Sequence, residues 1–274
     1  MLRRPKLVAV DIDGTLVDRE GQMPSNVKAA VQRVAGSGTP LVLATGRAWL
    51  DARPVFDELV LPPSHVVCSN GAVWLEYPPI VERRQRTFDP GPVIREVATL
   101  APHARIAVED LGRGFRLNRL FPDGDLTGAM TLEPLEELAS RPVTRVIVRD
   151  PEADDQEFID LAAKLGMHGV SYSVGWSAWL DIAPEGVNKA SALATISNEL
   201  GIDRRDVLAI GDGRNDIEML AWAGRGVAMG DAPDEVKAAA DEVTADFADG
   251  GAALELDRWF AFAPDARERV LRTA

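Results

Sequence analysis

The sequence predicts an α/β protein built on a mainly parallel sheet, with a second α/β unit inserted into it. Two observations carry this reading. Short apolar runs rich in β-branched residues alternate with helical periodicities, and the runs end on small polar or acidic residues. Between residues 82 and 184 that alternation loses its regularity, and the stretch is itself domain-sized. Residues 1–81 and 185–274 are therefore expected to form one core, with 82–184 as the insertion.

The run LVAV at 7–10 reads as a buried strand that delivers Asp11 and Asp13 to its C-terminal lip, followed at once by Gly14 and Thr15. Pro24, Ser25 and Asn26 open a helix with Val27, Val31 and Val34 on one face, and Gly36, Ser37 and Gly38 stop it. A second strand at 40–44 ends on Thr45, Gly46 and Arg47. After a helix, a third at 66–68 ends on Ser69, Asn70, Gly71 and Ala72. Beyond Tyr77, Pro78 and Pro79 the pattern predicts strands at 82–88, 104–109, 115–120, 144–148, 170–174 and 179–182, with helices at 92–100, 133–139 and 152–165. The first pattern resumes with a helix from Asn188 carrying Leu193, Ile196 and Leu200. A strand at 206–210 then ends in Gly211, Asp212, Gly213, Arg214, Asn215 and Asp216. A helix at 217–221, a strand at 226–229, a helix at 234–240, a short strand at 242–244 and a last helix through Leu256 complete the chain. A parallel sheet of this kind gathers ligands at the C-terminal edge of its strands.

Composition narrows the function classes. The chain has 274 residues, 46% hydrophobic and 27% charged, as an ordinary soluble protein does. No apolar run approaches the roughly 20 residues of a membrane span, and the charged start at 1–14 is no secretory signal, so a cytoplasmic protein without membrane partners is expected. A net charge of −13 repels nucleic acid, and a small anionic substrate needs a local site that overrides that field. The single cysteine, Cys68, sits at the end of an apolar run and can form no internal disulfide. His65, His103 and His168 are isolated, without zinc-ligand spacing.

Chemistry concentrates at four strand ends. Asp11 leaves an apolar strand, where desolvation opposes its ionisation, and the like charge of Asp13 opposes it again. A divalent metal is the simplest compensation, unless Asp13 and Gly14 merely close the strand in a turn. Lys189, in the first turn of a helix, faces the positive end of the macrodipole; a phosphate at the same terminus turns that conflict into an asset. Thr45, Asn215 and Asp216 also suit helix caps, Asn70 and Gly71 suit a turn, and Arg47 suits either a substrate oxyanion or a surface acid.

Taken together, DIDGTL at 11–16, ATGR at 44–47, SNGA at 69–72, GVNKASAL at 186–193 and GDGRNDIEML at 211–220 resemble the haloacid dehalogenase superfamily, specifically its Cof-type phosphatases. The resemblance implies a Rossmann-like core with an inserted α/β cap and a Mg2+-dependent phosphatase for small phosphorylated metabolites, sugar phosphates foremost. It implies Asp11 as the nucleophile that becomes an aspartyl phosphate, and Asp13 as general acid and then base. Thr45, Gly46, Arg47, Asn70, Gly71, Lys189 and Asn215 would hold phosphate or substrate. The metal set would be Asp11, Asp212, the backbone carbonyl of Asp13, and Asp216 through water or by orienting Lys189. One departure is the segment 243–251, where the acids survive but the family's asparagine does not.

The insertion falls between Thr45 and Lys189 and not between Thr15 and Thr45, which resembles Cof-type sugar-phosphate phosphatases and not the phosphomutase-like branch. Two rivals stand beside this expectation. One is a phosphatase dedicated to a single substrate, such as sucrose phosphate or mannosyl-phosphoglycerate; the other is a catalytically silent metal- or phosphate-binding module. A monomer or small homo-oligomer is expected.

Overall fold

The run Leu7–Val10 forms β1, buried over its whole length, and one sheet grows outward from it on both sides. The computed structural model describes residues 4–122, 126–151, 170–174 and 179–261. After β1 come the helix Ser25–Gly36, β2 (Leu41–Ala44), the helix Trp49–Leu59 and β3 (Ser64–Cys68). The chain then doubles back through two antiparallel strands, β4 (Val73–Tyr77) and β5 (Val81–Gln85).

The second sheet begins after β5. It holds β6 (Arg105–Asp110), β7 (Gly114–Leu117), β8 (Ala129–Leu132), β9 (Val146–Arg149), β10 (Val170–Val174) and β11 (Trp179–Pro184), in the order β10-β11-β9-β6-β7-β8. The helices Gly91–Leu100 and Leu135–Leu138 accompany it, and Val93, Ile94, Val97 and Leu138 pack on Ile106, Val108, Val146 and Val148 in a core of their own.

The chain then returns to the first sheet through the helix Lys189–Glu199, β12 (Val207–Gly211), the helix Ile217–Trp222, β13 (Arg225–Ala228), the helix Asp234–Ala239, β14 (Glu242–Val243) and the helix Gly251–Phe260. The finished order is β14-β13-β12-β1-β2-β3-β4-β5, parallel from β14 to β3. The inner strands are buried on both faces, which is why they read as continuous apolar runs without alternation. Since β12, β1, β2 and β3 are parallel neighbours, Asp212, Asp11, Thr45 and Ser69 leave the sheet at one edge.

Two details differ from the sequence expectation. The strand expected from residue 82, at the start of the insertion, is β5, and it pairs with β4 in the first sheet, so the chain leaves that sheet only after Gln85. Its sequence VERRQ is exposed throughout, the dress of an edge strand, and charge conceals the pairing from a pattern search. The edge strand β8 was not anticipated at all; it too is exposed along its length. The expected helix at 152–165, Trp176 and the chain after 261 lie outside the described residues. Trp179 meets Phe121 edge to face with ring centres 6.1 Å apart, a packing role.

The two sheets touch directly. Ala48, just past β2, is packed among Ala107, Phe115, Leu117, Phe121, Leu126 and Ile147, and Ala72 packs on Ala183 and Val187.

Candidate active site

The site is assembled at the edge where β12, β1, β2 and β3 end, around one buried ammonium. Asn188 caps the helix Lys189–Glu199, accepting the Ser191 backbone N–H at 2.9 Å while the Ser191 hydroxyl accepts the Asn188 N–H at 3.1 Å. This reciprocal cap fixes the first turn, and Lys189 projects from it with no exposed surface. Its Nζ lies 2.5 Å from Asp11 Oδ1 and 2.7 Å from Asp216 Oδ1. The other oxygen of Asp216 accepts the backbone N–H groups of Asp212 at 3.1 Å and Gly213 at 2.9 Å. Asp216 thus closes the turn that follows β12 and holds Lys189 at the same time, and it makes no side-chain cap on the helix Ile217–Trp222.

Asp212 is held from the other side by the Thr15 hydroxyl, which donates to its Oδ1 at 3.1 Å. Gly14 lies against the same carboxylate with φ +77°; a Cβ there would collide with Asp212, so the turn needs glycine for both conformation and space. Carboxylate oxygens of Asp11, Asp212 and Asp216 come within 4.8 Å of one another. Burial, and after it the charge of Asp216, pushes the Asp11 pKa well above the usual carboxylate range. The same two causes raise Asp212 to about 7. Burial opposes the charge of Lys189, yet Asp11 and Asp216 outweigh it and hold its pKa above the ordinary lysine value.

Three buried carboxylates around one ammonium leave a surplus of negative charge and an all-oxygen donor set. That set fits a hard divalent cation such as Mg2+ and not zinc. A testable consequence follows from the sign of the Asp212 shift. Its folded pKa of about 7 exceeds its ordinary 3.8, so the folded state binds more protons between those values and metal-free stability falls as pH rises through that window. Magnesium is therefore expected to raise the thermal midpoint by roughly 5 °C at pH 8 and far less at pH 5. Equal shifts at both pH values in a melting experiment would contradict this.

Asp13 stands outside the carboxylate cluster. Its side chain is 51% exposed and takes a two-pronged ion pair from Arg47, with Nη2 to Oδ1 at 2.5 Å and Nε to Oδ2 at 2.9 Å. Arg47, for which the sequence left a substrate oxyanion or a surface acid open, is paired with the acid expected to move the proton. Burial works against the Arg47 charge, and the Asp13 hydrogen bond and charge more than offset it, so its pKa is raised.

The remaining expected residues meet around Gly46. The Thr45 hydroxyl oxygen accepts the Arg47 N–H at 3.0 Å and so braces the turn, as a cap does. The Asn215 carboxamide donates to Asn70 Oδ1 at 2.9 Å, and both side chains lie against the face of Gly46 where a Cβ would stand. Ser69, Asn70 and Gly71 have φ of +51°, +52° and +101° in succession, a left-handed run that non-glycine residues adopt at a cost. Gly71 packs on the Asn188 carbonyl, where no side chain fits, so this loop rests on the first turn of the lysine helix. The sequence reading missed Thr15, although it lies inside the first motif. It also missed Glu109, Arg145 and Asp181 of the second sheet, which no motif marks.

The family model described as haloacid dehalogenase-like hydrolase matches residues 8–89 and 127–256. The 5-amino-6-(5-phospho-D-ribitylamino)uracil phosphatase YitU of Bacillus subtilis is 27% identical over 95% of this chain and 100% of its own length. The pyridoxal phosphate phosphatase YbhA of Escherichia coli is 29% identical over 88% of this chain and 93% of its own. The crystal structure of a haloacid dehalogenase-like hydrolase from Bacteroides thetaiotaomicron superposes with a TM-score of 0.79 at 26% identity, covering 94% of this chain and 100% of that one.

Proposed function

The chain belongs to the haloacid dehalogenase-like hydrolase family, and from that premise we propose a magnesium-dependent phosphomonoesterase for small phosphorylated metabolites, sugar phosphates foremost. It is a hydrolase of phosphate monoesters, as its named relatives are. The observation that carries the finer reading is the Lys189 ammonium bridging Asp11 and Asp216 beside Asp212, with Asp13 two residues along the chain from Asp11 as the candidate to move a proton.

In this reading Asp11 and Asp212 offer carboxylate oxygens to Mg2+, with the Asp13 backbone carbonyl, while Asp216, both of whose oxygens already accept hydrogen bonds, supports the shell from behind. When bound, the ion supplies charge neutralisation to the phosphoryl group and to Asp11. Lys189 holds Asp11 in line and adds its own positive charge to the phosphoryl oxygens. Thr45, Gly46, Asn70, Gly71 and Asn215 form the rest of the cradle, next to the N-terminus of the lysine helix. An Asp11 oxygen attacks phosphorus as the ester P–O bond breaks, and Asp13, released from Arg47 and protonated, gives its proton to the departing alkoxide. Asp13 then takes a proton from water, the water oxygen attacks phosphorus, the bond to Asp11 breaks, and alcohol and inorganic phosphate are released.

The relatives named above act on different phosphate esters, which supports a small metabolite without fixing one. No helix among the described residues is long and apolar enough to cross a membrane. The net charge of −13 disfavours nucleic acid, and the reading takes small metabolites as the partners and the cytoplasm as the compartment. The test is a panel of phosphate esters assayed with magnesium and with EDTA. Turnover confined to the magnesium arm, with sugar phosphates leading, is the expected result. A single ester preferred by more than about 100-fold over all others would favour the dedicated-substrate rival, and undiminished turnover in EDTA would contradict the metal assignment.

A further inference from the structure

The second sheet reaches the cradle through buried charge. Glu109 on β6, Arg145 just before β9 and Asp181 on β11 come together beneath the loops that follow β2 and β3. Arg145 is 3% exposed and Glu109 5%. The Arg145 guanidinium donates to the Gly46 backbone carbonyl and to Asp181 Oδ1 at 3.3 Å, and its Nε lies 3.5 Å from Glu109 Oε2. The same Glu109 oxygen accepts the Ser69 hydroxyl at 2.5 Å and the Thr144 hydroxyl at 3.0 Å. Asp181 Oδ2 in turn accepts from Asn70 Nδ2 at 3.4 Å.

A buried charge cluster is a poor adhesive, because desolvation offsets most of the attraction, and an apolar contact already joins the sheets at Ala48 and Phe115. What the charges add is direction. The carboxylate of Asp181 selects the NH2 end of Asn70, which leaves Oδ1 facing Asn215, and Arg145 pins the carbonyl between Thr45 and Arg47. Glu109 and Asp181 also grip the left-handed non-glycine residues of this loop, Ser69 and Asn70, and such a conformation persists only where its surroundings over-determine it. We propose that Arg145 and Asp181, backed by Glu109, are positioning residues: they set the Gly46 carbonyl and the Asn70 carboxamide from the second sheet, so the phosphate cradle is complete only with the two sheets docked. This rests on the phosphatase reading for its catalytic consequence.

The test uses the full chain with Arg145→Lys, Arg145→Met and Asp181→Asn, reading kcat and KM on an ester the wild type hydrolyses, inorganic phosphate affinity by calorimetry with magnesium, and the thermal midpoint. Lysine keeps the charge but lacks the planar fork that meets a carbonyl and two carboxylates at once. Loss of loop position is expected to lower kcat by about 10- to 100-fold and weaken phosphate about 10-fold in Arg145→Met and Asp181→Asn, with Arg145→Lys in between. Folded variants whose kcat and phosphate affinity stay within about twofold of wild type, whatever their midpoints, overturn the inference. If Arg145→Met does not fold, the other two decide. A wild type that hydrolyses no ester overturns the phosphatase reading alone, and phosphate affinity still decides this one; a wild type that also binds no phosphate overturns both.

Discussion

Asp11→Asn will give a folded protein that turns over no phosphate ester, with a loss of at least about 10⁴-fold. The carboxamide is the same size but cannot act as the nucleophile, so no covalent intermediate forms. Stability moves little, because two effects oppose. The substitution removes one of three clustered carboxylates whose ionisation burial and Asp216 disfavour, but it also takes an ionic partner from Lys189. Turnover measured beside a thermal melt separates chemistry from folding, and undiminished activity in the folded variant would sink the mechanism.

Lys189→Met will cost the most stability of any single change in the site. The side chain has no exposed surface and touches two buried carboxylates. Breaking a buried ion pair leaves uncompensated charge at a cost of about 3–5 kcal/mol, or roughly 10 °C in midpoint for a chain of this size. The deficit should shrink at low pH, where the unpaired carboxylates take up protons, and shrink again with magnesium at pH 8. Turnover is expected to fall by about 10³-fold even where the variant is folded, since the ammonium that faces the phosphoryl oxygens is gone. A midpoint shift that does not depend on pH would show that Lys189 acts by packing and not by charge.

Much of this site was legible in the sequence because a parallel sheet converts strand ends into neighbours. Asp11, Thr45, Asn70 and Asp212 are far apart in the chain, yet each follows an apolar run, and parallel pairing of those runs is sufficient to bring them to one edge. Lys189 was legible as a conflict between a cation and a helix N-terminus, and its two carboxylate partners resolve that conflict. What periodicity could not reveal is side-chain direction. Asp13 and Asp11 are two residues apart, yet one faces Arg47 and the other Lys189, because β1 ends at Val10 and the turn closed on the Ile12 carbonyl begins between the two acids. Nor does any local pattern mark Arg145, Glu109 and Asp181. They are ordinary charged residues in or beside short strands, and only the docking of one sheet on the other brings them to Gly46, Ser69 and Asn70. The membership of β5 in the first sheet is hidden in the sequence for a similar reason, since edge strands carry charge where inner strands carry the apolar signal.

The covalent role of Asp11 is the centre of the account, and one measurement addresses it most directly. The enzyme is mixed with magnesium and a hydrolysed ester, quenched in acid within a turnover, digested, and the peptide containing Asp11 is weighed by mass spectrometry. The account predicts one added phosphoryl group on Asp11 that disappears when unlabelled turnover is allowed to finish, and none in Asp11→Asn. Steady hydrolysis with Asp11 never phosphorylated, or with the phosphoryl group on another residue, would contradict it.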